Sequence, residues 1–255
     1  MNTVNYALSQ LTPLQKISFL FIFLPKVLVA QVCVIYDKDG YTNVRSKASI
    51  NSNIIGKIKE GQAFSISTYK QDEQNKSTDW VAVNFPAKST LEKGGFVKYD
   101  NREKSGFIHK SRLIPLENLP VFNANKITEA KIIHSYKSLS VIIETQPFKK
   151  PDHKIVQDKK GHYKIDNKPV SFYYGGEATE IKQITIQSES KRYTLPKIAI
   201  RNLFMVEASR TNVPIGKKGE YYIIFDAGDG ADAYNIIYCI RNMRLTAMVT
   251  TSTID

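Results

Sequence analysis

Asp39-Gly40-Tyr41-Thr42-Asn43-Val44-Arg45-Ser46 decides the reading of this chain, because a turn signal there runs directly into a short alternating strand. Ahead of it, Val32 to Tyr36 is an apolar strand, and Asp37-Lys38-Asp39-Gly40 supplies the turn. Behind it lie a polar loop from Lys47 to Asn53, a strand over Ile54 to Ile58, and a turn over Lys59-Glu60-Gly61-Gln62. Ala63 to Ser67 and Trp80 to Val83 alternate with period two, and Ser105 to His109 is a further strand. Lys110 to Leu113 adds one helical turn at most. Short strands at this spacing imply a small barrel whose edges are closed or protected. Val44, Ile54, Ile55 and Ile58 are its expected core, Gly56 and Gly61 sit where a side chain would obstruct the backbone, and Arg45 bridges loops.

Four stretches carry a resemblance: D-G-Y-T-N-V-R-S (39–46), N-S-N-I-I-G-K-I-K-E-G-Q (51–62), D-W-V-A-V (79–83) and S-G-F-I-H-K-S-R-L (105–113). In order and spacing, residues 32–115 resemble the bacterial Src-homology-3-type domain. The resemblance implies binding rather than chemistry, since such domains accompany exported wall-active proteins and some recognise peptidoglycan or its peptide stems. It places Tyr36, Tyr41, Trp80 and Phe107 near a ligand groove, although Trp80 and Phe107 serve equally well as barrel core. The chain departs from the family between Val83 and Ser105, where a short turn is replaced by Asn84 to Lys104, with an extra strand over Phe96 to Tyr99. Such an insert is expected at the barrel rim near Trp80, as a wall or cover of the groove.

Ile114 to Pro120 is bracketed by prolines, so residues 116–120 read as the linker and 121–255 as a second unit. That unit reads as an antiparallel β domain, sandwich-like or meander. Its strands are expected over Lys131 to Tyr136, Leu139 to Thr145, Pro169 to Tyr174, Thr179 to Ser188, Arg192 to Ile200 and Glu220 to Phe225. Tyr234 to Ile240 is almost wholly apolar and predicts a central strand, with Leu245 to Val249 completing a meander. Arg201 to Val206 is placed as the start of a short helix. The stretch Y-Y-I-I-F-D-A-G-D-G-A-D-A-Y (221–234) resembles exported proteins of Bacteroidetes-like bacteria. The whole chain is therefore expected to be all-β.

Residues 1–30 read as a signal peptide: Ile17 to Leu24 is apolar, Lys16 precedes it, and Ala30 offers a cleavage point. Export to the periplasm or outside follows, with an uncleaved membrane anchor as the alternative and lipidation at Cys33 a weaker one, because Val32 is not small. A stable transmembrane segment after cleavage is not expected. The formal charge is +12, and +10 without the first thirty residues, which favours anionic envelope surfaces. Nucleic acid is set aside, since export and the absence of a nucleic-acid motif oppose it. In an oxidising compartment Cys33 and Cys239 can pair, but Cys239 in I-I-Y-C-I reads better as a small buried apolar residue.

No nucleophile elbow, zinc helix or phosphate loop occurs, and neither cysteine is set to be activated. His153 and His162, with Asp152 and Asp158, lie on a lysine-rich stretch that reads as a solvated loop rather than a metal site. His109 and His134 read as partly buried strand residues. Asp226, Asp229 and Asp232 can converge on a hard cation, yet the Asp-Gly turn accounts for them more simply. Glu177 and Glu180 make a weak glycosidase pair. No cofactor and no catalytic residue is expected. The leading expectation is an exported non-enzymatic binding protein for a cell-envelope polymer, peptide or protein. The alternatives are a wall-modifying hydrolase with its catalytic half in 121–255, and a partner-inhibiting protein with a flat interaction surface.

Overall fold

A computed structural model describes residues 31–67, 79–99, 103–157, 159, 163–166, 168–170, 179–228 and 233–252. The leader at 1–30 lies outside them.

The first strands are β1 (Val32–Ile35), β2 (Tyr41–Arg45), β3 (Ile54–Lys59), β4 (Phe64–Ile66) and β5 (Trp80–Pro86). The insert then contributes β6 (Ser89–Leu91) and β7 (Val97–Tyr99), before β8 (Glu103–His109) and β9 (Leu113–Pro115). Seven of these strands curl into one sheet in the order β3-β2-β8-β5-β4-β1-β9. Its concave side encloses Cys33, Ile35, Val44, Ile58, Phe64, Val83 and Ile108. Gly56 is required there: a Cβ at that position would lie 2.7 Å from the Phe85 ring. Arg45 donates from its guanidinium to the Ser52 carbonyl at 2.7 Å, a tie within the β2–β3 loop. Ile54 and Ile55 depart from the expected core. A bulge beside Val44 and Arg45 shifts the register of β3, and both isoleucines are exposed.

The second half begins with β10 (Asn123–Thr128), a strand the polar sequence concealed, then β11 (Lys131–Tyr136) and β12 (Leu139–Pro147). The lysine-rich stretch that read as a loop forms a small sheet of β13 (Ile155–Gln157), β14 (Tyr163–Ile165) and β15 (Lys168–Val170). β16 (Thr179–Gln187) and β17 (Arg192–Thr194) follow, with one α-helical turn, α1 (Lys197–Ile200), starting after Pro196. Helix therefore forms before Arg201 rather than over Arg201 to Val206, since proline sets the N-terminal geometry. The chain ends in β18 (Thr211–Asn212), β19 (Tyr221–Ala227), β20 (Tyr234–Arg241) and β21 (Arg244–Ser252).

Two large sheets face each other in this half. One has the order β10-β11-β12-β16-β17, the other β18-β19-β20-β21-β7-β6. Ile132, Val141, Ile143, Ile184 and Ile186 meet Tyr221, Ile223, Phe225, Ile236 and Tyr238 between them. The opposite face of the six-stranded sheet carries Tyr222, Ile237, Cys239, Ala247 and Val249, which pack on Val34, Ala63, Leu116 and Leu119. β20 is thus covered on both faces, which is why Tyr234 to Ile240 lacks the alternation of a half-exposed strand. The fold is nearly all β.

The insert does not wall a groove. Its β7 pairs in parallel with β21, Val97 opposite Ala247, and its Phe96 is buried in the core between the two large sheets. The proline-bracketed connector is likewise part of the packing: Leu116 to Asn118 forms a 3-10 turn whose Leu116 is buried against the six-stranded sheet. Both cysteines are free and buried, so the disulfide alternative is not formed. Burial pushes both thiols up, Cys33 in the curled sheet's core and Cys239 3.1 Å from where a Gly61 Cβ would stand. Gly61 also has φ +81°, so both space and backbone hold this position to glycine. No helix among the described residues is long and apolar enough to cross a membrane.

Candidate functional site

The four aromatics expected around one groove have separate surroundings. Tyr36, just past β1, hydrogen-bonds the buried Glu220 carboxylate and accepts from the Lys217 backbone N–H. Burial and the adjacent carboxylate push its hydroxyl up. Lys218, on the same loop, reaches Glu60 at 2.7 Å, so Tyr36 is a tie between the halves rather than a free surface. Phe107 is only 5% exposed. Trp80 is half-buried with its ring edge-on to His109 at 5.6 Å. His109 itself is exposed, not partly buried, and its Nδ1 accepts from the Ser111 N–H to cap a 3-10 turn.

Tyr41 is the one that faces solvent with its neighbours. Register puts Tyr41, Arg45, Trp80 and Phe107 on the convex face of the curled sheet, but a single pair, Arg45 opposite Phe107, joins β2 to β8. Trp80 and Phe107 consequently stay with β5 and β8, and Tyr41 goes with the β2–β3 hairpin. Lys59 pairs opposite Tyr41, and the Lys57 ammonium lies 4.0 Å above its ring. The same hairpin exposes Ile50 (65%), Ile54 (52%) and Ile55 (39%). β3 is the last strand of its sheet, so among the described residues its outer backbone groups have no strand partner. An apolar strip, an aromatic ring and two ammonium groups are therefore gathered along an open edge.

The ionisable side chains give a different picture. His153 is not on a solvated loop: its side chain is 8% exposed, and its ring stacks on Phe148 at 4.6 Å. Its Nδ1 meets Asp166 at 2.9 Å and its Nε2 meets Glu180 at 2.8 Å. Glu180 also accepts from Gln146 at 2.6 Å, and Asp166 from the Lys154 N–H at 2.9 Å. Burial opposes the imidazolium, yet bonds to the two carboxylates outweigh it and raise the pKa of His153. While His153 is protonated, both ring nitrogens donate to the carboxylates and it has no lone pair to offer a metal or a substrate proton. The cluster ties the small β13–β15 sheet to β16. The sequence signal for it was Asp166 and Glu180 flanking the histidine at long range, which spacing alone does not reveal.

His134, on β11, is the counterpart. Thr211 gives its hydroxyl proton to the Ala208 carbonyl at 2.7 Å, so the His134 Nε2–H must donate to the Thr211 oxygen at 2.8 Å. Nδ1 is left without a partner, and burial lowers the pKa to about 4. His134 is neutral and structural.

His162, Asp158, Glu177, Asp229 and Asp232 lie outside the described residues. Asp152 is exposed in a 3-10 turn, Glu180 is occupied by His153, and Asp226 sits exposed near the end of β19. Among the described residues no group of three or more His, Cys, Asp or Glu side chains is arranged to hold a metal ion. Comparison with family models, with curated proteins and with solved structures finds no match.

Proposed function

We propose that this chain is an exported, non-enzymatic binding protein of the cell envelope that docks an extended acidic polypeptide segment along β3. The observation that carries the reading is the β2–β3 hairpin, where Tyr41, Ile50, Ile54 and Ile55 are exposed together beside Lys57 and Lys59. An added strand would satisfy the outer backbone groups of β3, its apolar residues would cover the isoleucines, and its carboxylates would meet the lysines. The charge of +10 that remains after cleavage at Ala30 draws acidic partners toward the surface before docking. Export rests on the apolar run Ile17 to Leu24 and the Ala30 cleavage point.

The test is fluorescence anisotropy of the full chain with a labelled peptide of alternating valine and glutamate, across a salt series. Saturable binding should persist at high salt, because surface charges are screened over about 8 Å at physiological ionic strength while apolar contacts are not. Tyr41→Ala should weaken it about tenfold, and Ile54→Asp, which removes an apolar contact and repels the peptide carboxylates, should weaken it further. Binding that vanishes with salt and ignores Tyr41 would overturn the edge as the site. Sedimentation with peptidoglycan sacculi without any peptide binding would move the ligand to the glycan class.

A further inference from the structure

Between the two halves lies a cavity of about 230 Å³. Gln31 and Leu116 with Glu117 form its wall on the curled-sheet side, and Ile224, Asp226 and Asn235 its wall on the six-stranded sheet. Asn235 is 2% exposed, and its side-chain oxygen has no hydrogen-bond partner. A buried, orphaned polar atom costs stability, so its presence at a cavity wall points to an occupant.

The register sharpens the chemistry. Asp226 pairs with Asn235 and Asn235 with Thr251, so the three side chains form one row across β19, β20 and β21, on the face turned toward the curled sheet. The Thr251 hydroxyl is also buried without a partner. On the opposite wall, the amide nitrogen of Gln31 already donates to Glu117. Asn235, Asp226 and Glu117 thus present acceptors to the cavity, two of them carboxylates, beside the Asn212 amide, whose oxygen already accepts from the Val213 N–H. This is a negatively charged recess in a chain whose formal charge is +12. Leu116 and Ile224 supply an apolar wall beside the acceptors.

We propose that the cavity is a binding site for a small organic cation, a primary ammonium carried on a short alkyl stem. The ammonium donates to Asp226, to the Asn235 oxygen and to the free oxygen of Glu117, and the stem packs on Leu116 and Ile224. The volume is below the usual range for drug-sized ligands, roughly 300–1,000 Å³, and suits a metabolite of a few carbons rather than a polymer. A ligand there touches both halves at once and so holds them together. The site is separate from the β3 edge, and neither reading depends on the other.

Calorimetric titration of the full chain with n-butylammonium, 1,4-diaminobutane, 1-butanol and calcium chloride tests the proposal. The two amines should bind saturably at one site per chain, at least about tenfold tighter than 1-butanol, because a hydrogen bond to a charged group is worth that much. Asp226→Asn should weaken amine binding about tenfold with Trp80 fluorescence unchanged. Glu117→Gln, on the other wall, is the second variant should the first fail to fold. Equal binding of butanol and butylammonium, binding of calcium alone, no saturable binding, or indifference to both variants would each overturn the assignment.

Discussion

The seven-stranded sheet buries Cys33, Ile35, Val44 and Phe64 by curling around them, whereas the six-stranded sheet stays open and buries each face against a different neighbour. One core is closed on itself. The other sheet serves as a common wall, with Tyr221, Ile223 and Tyr238 turned to the five-stranded sheet and Tyr222, Ile237 and Cys239 to the curled one. The difference teaches that the halves of this chain are not beads on a string. The curled half depends on the shared wall for cover, and it lends that wall two of its strands, β6 and β7.

The strongest way to break this comparison is to damage the wall on its curled-sheet face and watch the other side. Ile237→Ala removes a side chain that is 1% exposed and should cost about 2–5 kcal/mol. Trp80 is the single tryptophan and lies in the curled half, so its fluorescence reports that half alone. Denaturation followed by Trp80 and by far-ultraviolet circular dichroism should give coincident curves, shifted together by the substitution. A Trp80 transition that ignores Ile237→Ala would show that the halves unfold separately.

The two buried histidines sharpen the comparison within the second half. His134 has a depressed pKa, so its contribution is complete above the unfolded value of about 6.5 and is lost as pH falls toward about 4. The loss is about 3 kcal/mol, and His134→Leu should flatten the stability profile over that interval. His153 runs the other way. Its raised pKa gives stability that is complete below about 6.5 and disappears as pH climbs through the folded value. Midpoints of urea unfolding should therefore pass through a maximum near neutrality. His153→Gln should cost about 2 kcal/mol at pH 6 and progressively less as pH climbs past the folded value, since it leaves Asp166 and Glu180 without their cation.

Much of the fold could be read from local pattern. The apolar run Tyr234 to Ile240 named its own place as a strand covered on both faces, and Leu139 to Thr145 lies within β12. What escaped was set by distant partners. β10 is largely polar in sequence, and it is a strand because β11 pairs with it, not because its residues prefer one. Phe96 to Tyr99 read correctly as extended, but nothing near it in sequence says that its neighbour is Ala247. For the candidate surface, Tyr41 was legible beside its turn. Ile54 and Ile55 were not, because one bulge decides which way an isoleucine points. His153 was hidden for the same reason as β7: its partners are distant in sequence, Asp166 in the turn after β14 and Glu180 on β16.

The parallel pairing of β7 with β21 also orders the birth of the molecule in time. Val97 leaves the ribosome 150 residues before its partner Ala247. Until then the β6–β7 hairpin is an unpaired edge, with Leu91 75% exposed even in the finished fold. Such long-range pairing makes folding slow and leaves the nascent chain open to association with itself. A fold that cannot close before β21 is made leaves its earlier strands waiting through that whole interval for the wall they pack on.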